Sequence, residues 1–147
     1  MKKIAVALLA CWALSQAGAA ELKWMTSLPE AQAKAKAEHK LVMMDFTGSD
    51  WCPYCIRLKK QVLSSPQFAK YAEKHLVLVE VDFPHAKKQS RELKRANERL
   101  QEKYGISGFP TLVVLNSQGK KLGKIEGYDG SAPEAFISRL KALTKSG

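Results

Sequence analysis

Cysteine and histidine are scarce in this chain, which has 3 of each among 147 residues. Cys52 and Cys55 form one Cys-x-x-Cys motif, and no second such motif follows. A closed tetrahedral zinc site needs four ligands, and the three histidines lie in unrelated segments, so the sequence argues against such a site. Residue 56 is Ile rather than His, so the pattern that attaches c-type haem is also absent. We expect no metal and no cofactor.

Long hydrophobic runs are also lacking, except near the N-terminus. Lys2-Lys3 precedes an apolar run over residues 4–14, which is too short to span a bilayer comfortably. Small residues follow at 17–19, as at a signal-peptidase cleavage site. The sequence therefore predicts a secretory signal peptide over residues 1–20 and one exported domain over residues 21–147, located in the periplasm or secreted.

The third cysteine, Cys11, allows a second interpretation of this N-terminal segment. Residues 8–11 read Leu-Leu-Ala-Cys, which is somewhat like a lipoprotein box in which the cysteine is lipidated. The apolar stretch before Cys11 is very short for such a box, so the ordinary signal peptide is the preferred interpretation. After its removal only Cys52 and Cys55 remain, and export places them in an oxidising compartment.

Acidic residues are outnumbered, with 14 against 24 basic residues and a formal net charge of +10. A basic surface can attract anionic partners or membranes, or can serve solubility alone. Part of the excess falls on a predicted helix over residues 87–104, whose basic stripe is either a docking face or a solvated face. Hydrophobic and charged contents of 46% and 26% are typical of an ordinary globular protein.

The Cys-x-x-Cys motif lies between an apolar, strand-like run over residues 41–46 and a helix-like run over residues 56–63. This arrangement places the Cys52 sulfur at a helix N-terminus, where unpaired N–H groups and the helix dipole favour an anion. A thiolate there is stabilised and becomes a usable nucleophile near neutral pH. Cys55 lies one turn further on, close enough for a small disulfide. Such a pair is suited to exchanging electrons with other thiols.

The remaining patterns predict the order short strand, helix, strand, helix, strand, helix, strand, strand, helix. The first part alternates as in βαβ units, which predicts parallel pairing. The last two strands, separated by a tight turn at 116–119, should pair antiparallel. We therefore expect an α/β fold with a mixed central sheet and helices on both faces.

Three motifs together resemble the thioredoxin-like family over residues 24–145. They are Asp45-Phe46, the run Trp51-Cys52-Pro53-Tyr54-Cys55, and the later segment Tyr104-Gly105-Ile106-Ser107-Gly108-Phe109-Pro110-Thr111. The lead-in to the cysteines is similar to that of the periplasmic domain of the bacterial transmembrane thiol-reductant transporter and of small disulfide isomerase relatives. The resemblance implies a thioredoxin-like three-layer sandwich.

The resemblance also implies roles for individual residues. Cys52 would be the exposed nucleophile, and Cys55 the less accessible resolving thiol. Pro110 would be a cis-proline opposite them, and Asp45 a buried carboxylate that helps to move the Cys55 proton. The separation of Asp45 from Cys52 is one residue longer than in typical thioredoxin.

Four further residues would contact substrate. Trp51 would shield the sulfurs, and the backbone of Phe109 would pair with an extended substrate segment. Pro53 and Tyr54 lie between the cysteines, where thioredoxin has Gly-Pro. The Pro-Tyr dipeptide is familiar from glutaredoxins, so it bears on the redox potential.

The functional expectation is an exported thiol–disulfide oxidoreductase that exchanges the Cys52–Cys55 dithiol or disulfide with protein substrates, as reductase or isomerase. Its partners would be protein thiols and an upstream thiol donor or acceptor, with no nucleic acid and no membrane span after signal cleavage. One alternative is a glutaredoxin-like module that depends on glutathione, with Tyr128-Asp129 mimicking part of the glutathione loop, or that binds a bridged cluster. Another is a static disulfide.

Overall fold

The computed structural model describes residues 21–145. The predicted signal peptide and the alternative lipidation site at Cys11 lie outside the described residues. Each element of the predicted order is present in the described range. The strands are β1 (Trp24–Met25), β2 (Leu41–Thr47), β3 (Leu76–Asp82), β4 (Thr111–Leu115) and β5 (Lys121–Glu126), and the helices are α1 (Leu28–Glu38), α2 (Pro53–Leu58), α3 (Pro66–His75), α4 (Arg91–Tyr104) and α5 (Pro133–Thr144). A π-helical turn, Lys59–Leu63, continues α2.

The strands form one mixed sheet in the order β1-β3-β2-β4-β5. Strand β3 pairs parallel with β1 and with β2, whereas β4 pairs antiparallel with β2 and with β5. The predicted parallel and antiparallel pairings are both confirmed. The central strand β2 is almost wholly buried, as its near-continuous apolar run predicts for a strand covered on both faces.

The hydrophobic core consists of two clusters, one on each face of the sheet. Helices α2, α3 and α5 cover one face and bury side chains such as Leu58, Phe68 and Phe136. Helix α1 covers the other face with Ala31 and Ala35. Full burial of a large apolar side chain stabilises a fold by about 1.5–3 kcal/mol. The result is the predicted three-layer sandwich.

Helix α4 differs from the sequence expectation in its start. The predicted helix over residues 87–104 begins only at Arg91, with Ser90 as the N-cap whose Oγ accepts a hydrogen bond from the Leu93 N–H at 3.1 Å. The preceding residues belong to a loop, in which the carboxylate of Asp50 accepts hydrogen bonds from the backbone N–H groups of residues 85–87. The helix begins where the Ser90 side chain caps it.

The helical spacing of the apolar residues of α4 predicts that they face the core, and two of them, Leu100 and Tyr104, pack against the core cluster on the α1 face of the sheet. The one fully buried residue of the helix is Asn97. Its Nδ2 donates a hydrogen bond to the Asp82 carbonyl at 3.0 Å. The half-buried residues are Leu93, Ala96, Leu100 and Tyr104.

The pattern Ser131-Ala132-Pro133-Glu134 predicts a capping box at the start of α5, but the structure has none. The helix begins at Pro133 with Ala132 as N-cap, and no side chain caps it. Ser131 instead takes part in the preceding turn, where its N–H donates to Asp129 Oδ1 at 3.0 Å. By contrast, the pattern Ser64-Ser65-Pro66-Gln67 predicts a cap before α3, and this cap is confirmed, since Ser65 Oγ accepts from the Phe68 N–H at 3.2 Å.

Candidate active site

The two cysteines lie where β2 gives way to α2, and they are joined in a disulfide with a Cα–Cα distance of 5.2 Å. Cys52 is the N-cap of α2, and its Sγ accepts a hydrogen bond from the Cys55 N–H at 3.2 Å. Pro53 occupies the first turn, where the missing N–H of proline does no harm. The Cys52 sulfur thus lies at the positive end of the helix, as predicted.

The accessibility of the cysteines differs from the prediction. Cys52, expected to be exposed, is only 4% exposed, and Cys55 is 3% exposed. The two cysteines do not differ in exposure, because the Cys52 sulfur is bonded to Cys55 and lies against the loop before β4. The exposed groups around it are instead Trp51 and Tyr54, which are 39% and 56% exposed.

The loop before β4 faces the disulfide. The Phe109–Pro110 peptide bond is cis, in agreement with the resemblance. The Phe109 carbonyl oxygen lies 3.8 Å from Cys52 Sγ, and among the described residues Phe109 makes no backbone–backbone hydrogen bond. The loop is held from the other side, where the Pro110 carbonyl accepts from the Gly127 N–H at 2.8 Å. The Phe109 backbone therefore borders the sulfurs with unused hydrogen-bonding capacity.

A group of aromatic side chains packs together next to the cysteines. The Trp51 Nε1–H donates to the Phe83 carbonyl at 2.8 Å, and its ring stacks on His85 with a centroid distance of 4.4 Å. The Phe109 ring stacks on Phe83 at 5.0 Å and meets Trp51 edge-on at 6.1 Å. These rings line a groove beside the disulfide. The predicted shielding residue Trp51 and the predicted contact residue Phe109 are thus brought together.

Gly48 explains how the Trp51 ring can lie so close to the backbone. A Cβ atom at position 48 would collide with the indole ring. Glycine is required there by this close approach and not by its φ angle.

Two aspartates that the sequence analysis did not single out hold the site loops together. Asp50 accepts the hydrogen bonds from the loop after β3, at 2.8–2.9 Å, and these bonds lower its pKa to about 2. Asp82 accepts from the N–H and the Oγ–H of Ser49, at 3.0 and 2.6 Å. Asp50 lies in the Gly-Ser-Asp turn before the cysteines, a composition typical of side-chain-to-backbone bonding, which is the one sequence signal for it.

Asp45 lies on β2 and is 6% exposed. Its Oδ1 has no hydrogen-bond partner within residues 21–145. Burial is the main cause that raises the pKa of Asp45 to about 7, and the nearby negative charge of Glu80 adds to it. A carboxyl group with this pKa can accept or release a proton near neutral pH. The predicted buried acid is therefore present.

Tyr128 and Asp129, which in the glutathione-dependent alternative mimic part of the glutathione loop, both interact with other residues of this chain. Tyr128 is buried, and its hydroxyl lies 2.9 Å from Gln61 Oε1 and from the Ser131 carbonyl. Asp129 pairs with Arg139 at 3.2 Å. The hydroxyl of Tyr128 does not project into solvent for a ligand.

Two features are absent from residues 21–145. No group of three or more His, Cys, Asp or Glu side chains there is arranged to hold a metal ion. No helix in that range has the length and apolar character needed to cross a membrane.

Comparisons with known proteins agree on a family. The model of a family described as "Thioredoxin-like domain" matches residues 28–144. The "Disulfide bond reductase DsbH" of Chlamydia pneumoniae is 39% identical over 127 residues, which cover 86% of this chain and 75% of that protein. A solved structure titled "DsbH Oxidoreductase" superposes with a TM-score of 0.79 at 39% identity and covers 86% of each chain.

A longer relative matches only in part. The "Thiol:disulfide interchange protein DsbD" of Vibrio cholerae is 32% identical over 121 residues, or 79% of this chain. Those residues are only 18% of that protein's length, so the match concerns one part of it.

Proposed function

Since this chain belongs to the thioredoxin-like family, we propose that it works as a disulfide reductase on exported proteins. It is a thiol–disulfide oxidoreductase, and the proposal concerns its direction, its substrates and its location. One observation carries the chemistry: the Cys52 sulfur caps a helix N-terminus and accepts the Cys55 N–H. The printed name of the DsbH relative supports the reducing direction.

The reaction starts from the dithiol form. The Cys52 thiolate attacks one sulfur of a substrate disulfide, the substrate S–S bond breaks, and the departing sulfur takes up a proton. A mixed disulfide now joins Cys52 to the substrate. Cys55 then loses its proton and attacks Cys52 Sγ, which releases the second substrate thiol and closes the Cys52–Cys55 disulfide. Two electrons pass to the substrate, and an upstream thiol donor must return them.

Asp45 is the proposed acceptor of the Cys55 proton. It is buried on the strand that leads into the site, and its pKa near 7 suits a general base at neutral pH. Trp51 and Phe109 form the proposed substrate contact, with the unused backbone groups of Phe109 pairing with an extended segment next to the disulfide. Pro53 and Tyr54, both exposed, complete this surface.

Cysteine variants test the chemistry. We expect Cys52→Ser to abolish dithiothreitol-coupled reduction of insulin, because the attacking sulfur is gone. Cys55→Ser should instead accumulate mixed disulfides, visible as higher-mass species on non-reducing gels, because the resolving thiol is gone. Circular dichroism checks that both variants fold. Wild-type activity in Cys52→Ser would refute the enzymatic proposal.

The equilibrium reduction potential of the Cys52–Cys55 pair tests the direction. Measured against a glutathione series, a value near about −270 mV identifies a reductase. A value between about −180 and −120 mV identifies an isomerase or an oxidant and overturns the reducing direction while leaving the thiol chemistry intact.

Export is a further part of the proposal. Residues 1–20 are the proposed signal peptide, and residues 21–147 the exported domain. Mass spectrometry of protein recovered from the periplasmic fraction should give a chain that begins at residue 20 or 21. A lipidated N-terminus at Cys11 would favour the lipoprotein alternative, and an intact N-terminus in the cytoplasm would contradict export.

A further inference from the structure

The mostly apolar strand β3 carries a carboxylate, Glu80, directly beside Asp45. Glu80 on β3 is the register partner of Asp45 on β2, and paired strands lie about 4.8 Å apart. Both side chains leave the sheet on the face that α2 covers, because Met43 and Leu78, two residues earlier on each strand, belong to the same cluster as Leu58. Glu80 and Asp45 are therefore neighbours beneath the helix that carries both cysteines.

The positive partner of Glu80 comes from that same helix. Lys59 is the first residue of the π-helical turn that continues α2, and its Nζ lies 3.4 Å from Glu80 Oε1. Single π-helical turns occur frequently at functional sites. The side chains of Lys59 and Glu80 are 56% and 25% exposed, so this ion pair borders both the solvent and the buried Asp45.

The charges that act on Asp45 come from β3 and from the helix. After burial, the negative charge of Glu80 is the next largest cause that raises the Asp45 pKa. The positive charge of Lys59 opposes it, and Asp82 raises the pKa further by a smaller amount. The two members of one ion pair therefore act on the same buried carboxyl group with opposite signs.

We propose that Glu80 and Lys59 are positioning residues for the thiol–disulfide reaction, and that the balance of their charges decides whether Asp45 holds a proton when Cys55 reacts. The inference rests on the proposed function of Asp45 as acceptor of the Cys55 proton. Glu80 makes Asp45 a stronger base. Lys59 limits this effect, so that a fraction of molecules at neutral pH still has an ionised Asp45 ready to take the proton.

The first test is a direct titration of Asp45 in the oxidised protein, by carboxyl-carbon NMR with ¹³C-labelled aspartate and with Asp45→Asn to assign the signal. We expect Glu80→Gln to move the Asp45 midpoint to lower pH by on the order of one unit, and Lys59→Met to move it to higher pH. Glu126→Gln is the matched control, because Glu126 pairs with Lys124 on β5 and its side chain leaves the sheet on the face opposite to Asp45, since the neighbouring Ile125 belongs to the same cluster as Leu58. It should leave the midpoint unchanged.

The second test is the pH dependence of the rate at which dithiothreitol reduces the oxidised protein, corrected for the thiolate fraction of dithiothreitol. In this direction the dithiothreitol thiolate attacks Cys52, and Cys55 leaves with the proton that Asp45 supplies. The inflection of the rate profile should move with the NMR midpoint, downward in Glu80→Gln and upward in Lys59→Met. The double variant should return both quantities toward the wild-type values.

The possible outcomes separate this inference from the proposed function. An Asp45 midpoint that stays fixed in both single variants overturns the coupling. If the Asp45 midpoint moves while the inflection of the rate profile stays fixed, the proposal that Glu80 and Lys59 act in the reaction is overturned. An inflection that persists in Asp45→Asn refutes the proposed function of Asp45, and with it the basis of this inference, even if Cys52 remains essential.

Discussion

Replacement of Asp45 by asparagine should stabilise the protein, and increasingly so at higher pH. Burial holds the Asp45 pKa at about 7 in the folded protein, against a model value of 3.8. The folded state therefore binds this proton more tightly than the unfolded state does. The resulting stability is fully present below the unfolded pKa and is lost as the pH rises through the folded pKa.

The size of the effect follows from the shift. A difference of about three pKa units corresponds to about 4 kcal/mol, at about 1.36 kcal/mol per unit. This is a large part of the 5–15 kcal/mol by which typical domains are stable. Asparagine does not titrate, so the Asp45→Asn variant does not lose this stability as the pH rises. The free energy of unfolding of the variant minus that of the wild type should therefore grow by about 4 kcal/mol between about pH 4 and about pH 8.5.

Urea unfolding of the oxidised proteins at both pH values measures this difference. Carboxylates that do not interact with Asp45 titrate alike in wild type and variant, so their contributions cancel in the subtraction, and the remainder belongs to Asp45 and its interaction with neighbouring charges. Glu126→Gln, which removes an exposed carboxylate of β5, should show a nearly constant offset. A difference between Asp45→Asn and wild type that is the same at both pH values would refute the assignment of a buried Asp45 whose pKa is raised to about 7.

Three further substitutions test the supports of the site. In Gly48→Ala the added Cβ atom would collide with the Trp51 ring and should displace it. We therefore expect a changed indole fluorescence emission and a fall of on the order of tenfold in the rate of insulin reduction. Unchanged emission would contradict the close approach of the Trp51 ring to the Gly48 backbone. Asn97→Ala removes the buried donor to the Asp82 carbonyl and should lower the free energy of unfolding by about 1–3 kcal/mol in chemical denaturation; an unaltered midpoint would show that this bond does not contribute. Asp50→Ala should speed amide hydrogen exchange at the three loop N–H groups that the Asp50 carboxylate binds. Because the pKa of Asp50 is lowered to about 2, the wild-type protection of these N–H groups is present above the ordinary aspartate range and is lost only as the pH falls through about 2. Protection that already fails near pH 4 would contradict this pairing.

Local sequence patterns predicted most of the fold. The alternation of apolar runs with helical periodicity predicted the element order, and the Cys-x-x-Cys motif between a strand and a helix predicted the position of Cys52 as a cap. Where a short-range pattern competed with a tertiary contact, the prediction was wrong. The helical pattern begins at residue 87, yet residues 87–90 lie in the loop after β3, where the Lys87 N–H binds the Asp50 carboxylate.

The accessibility of Cys52 shows the same limit. A position at a helix N-terminus can be deduced from the chain, because capping and the helix dipole act over a few residues. Exposure depends on what packs against the sulfur, and here Phe109 approaches it across 57 positions of sequence. A local sequence pattern alone therefore cannot predict whether Cys52 is more exposed than Cys55.

The sequence by itself determined the redox pair, the order of elements and the resemblance to a family, since each depends on neighbours along the chain or on short motifs. Only the tertiary structure decided that Glu80 lies beside Asp45 and that Lys59 reaches over Glu80. Strand register brings the two carboxylates together, and the burial of Asp45 removes water that would otherwise screen their interaction. Desolvation and Coulombic interactions depend on distance through space, so burial and a residue 35 positions away together raise the proton affinity of Asp45.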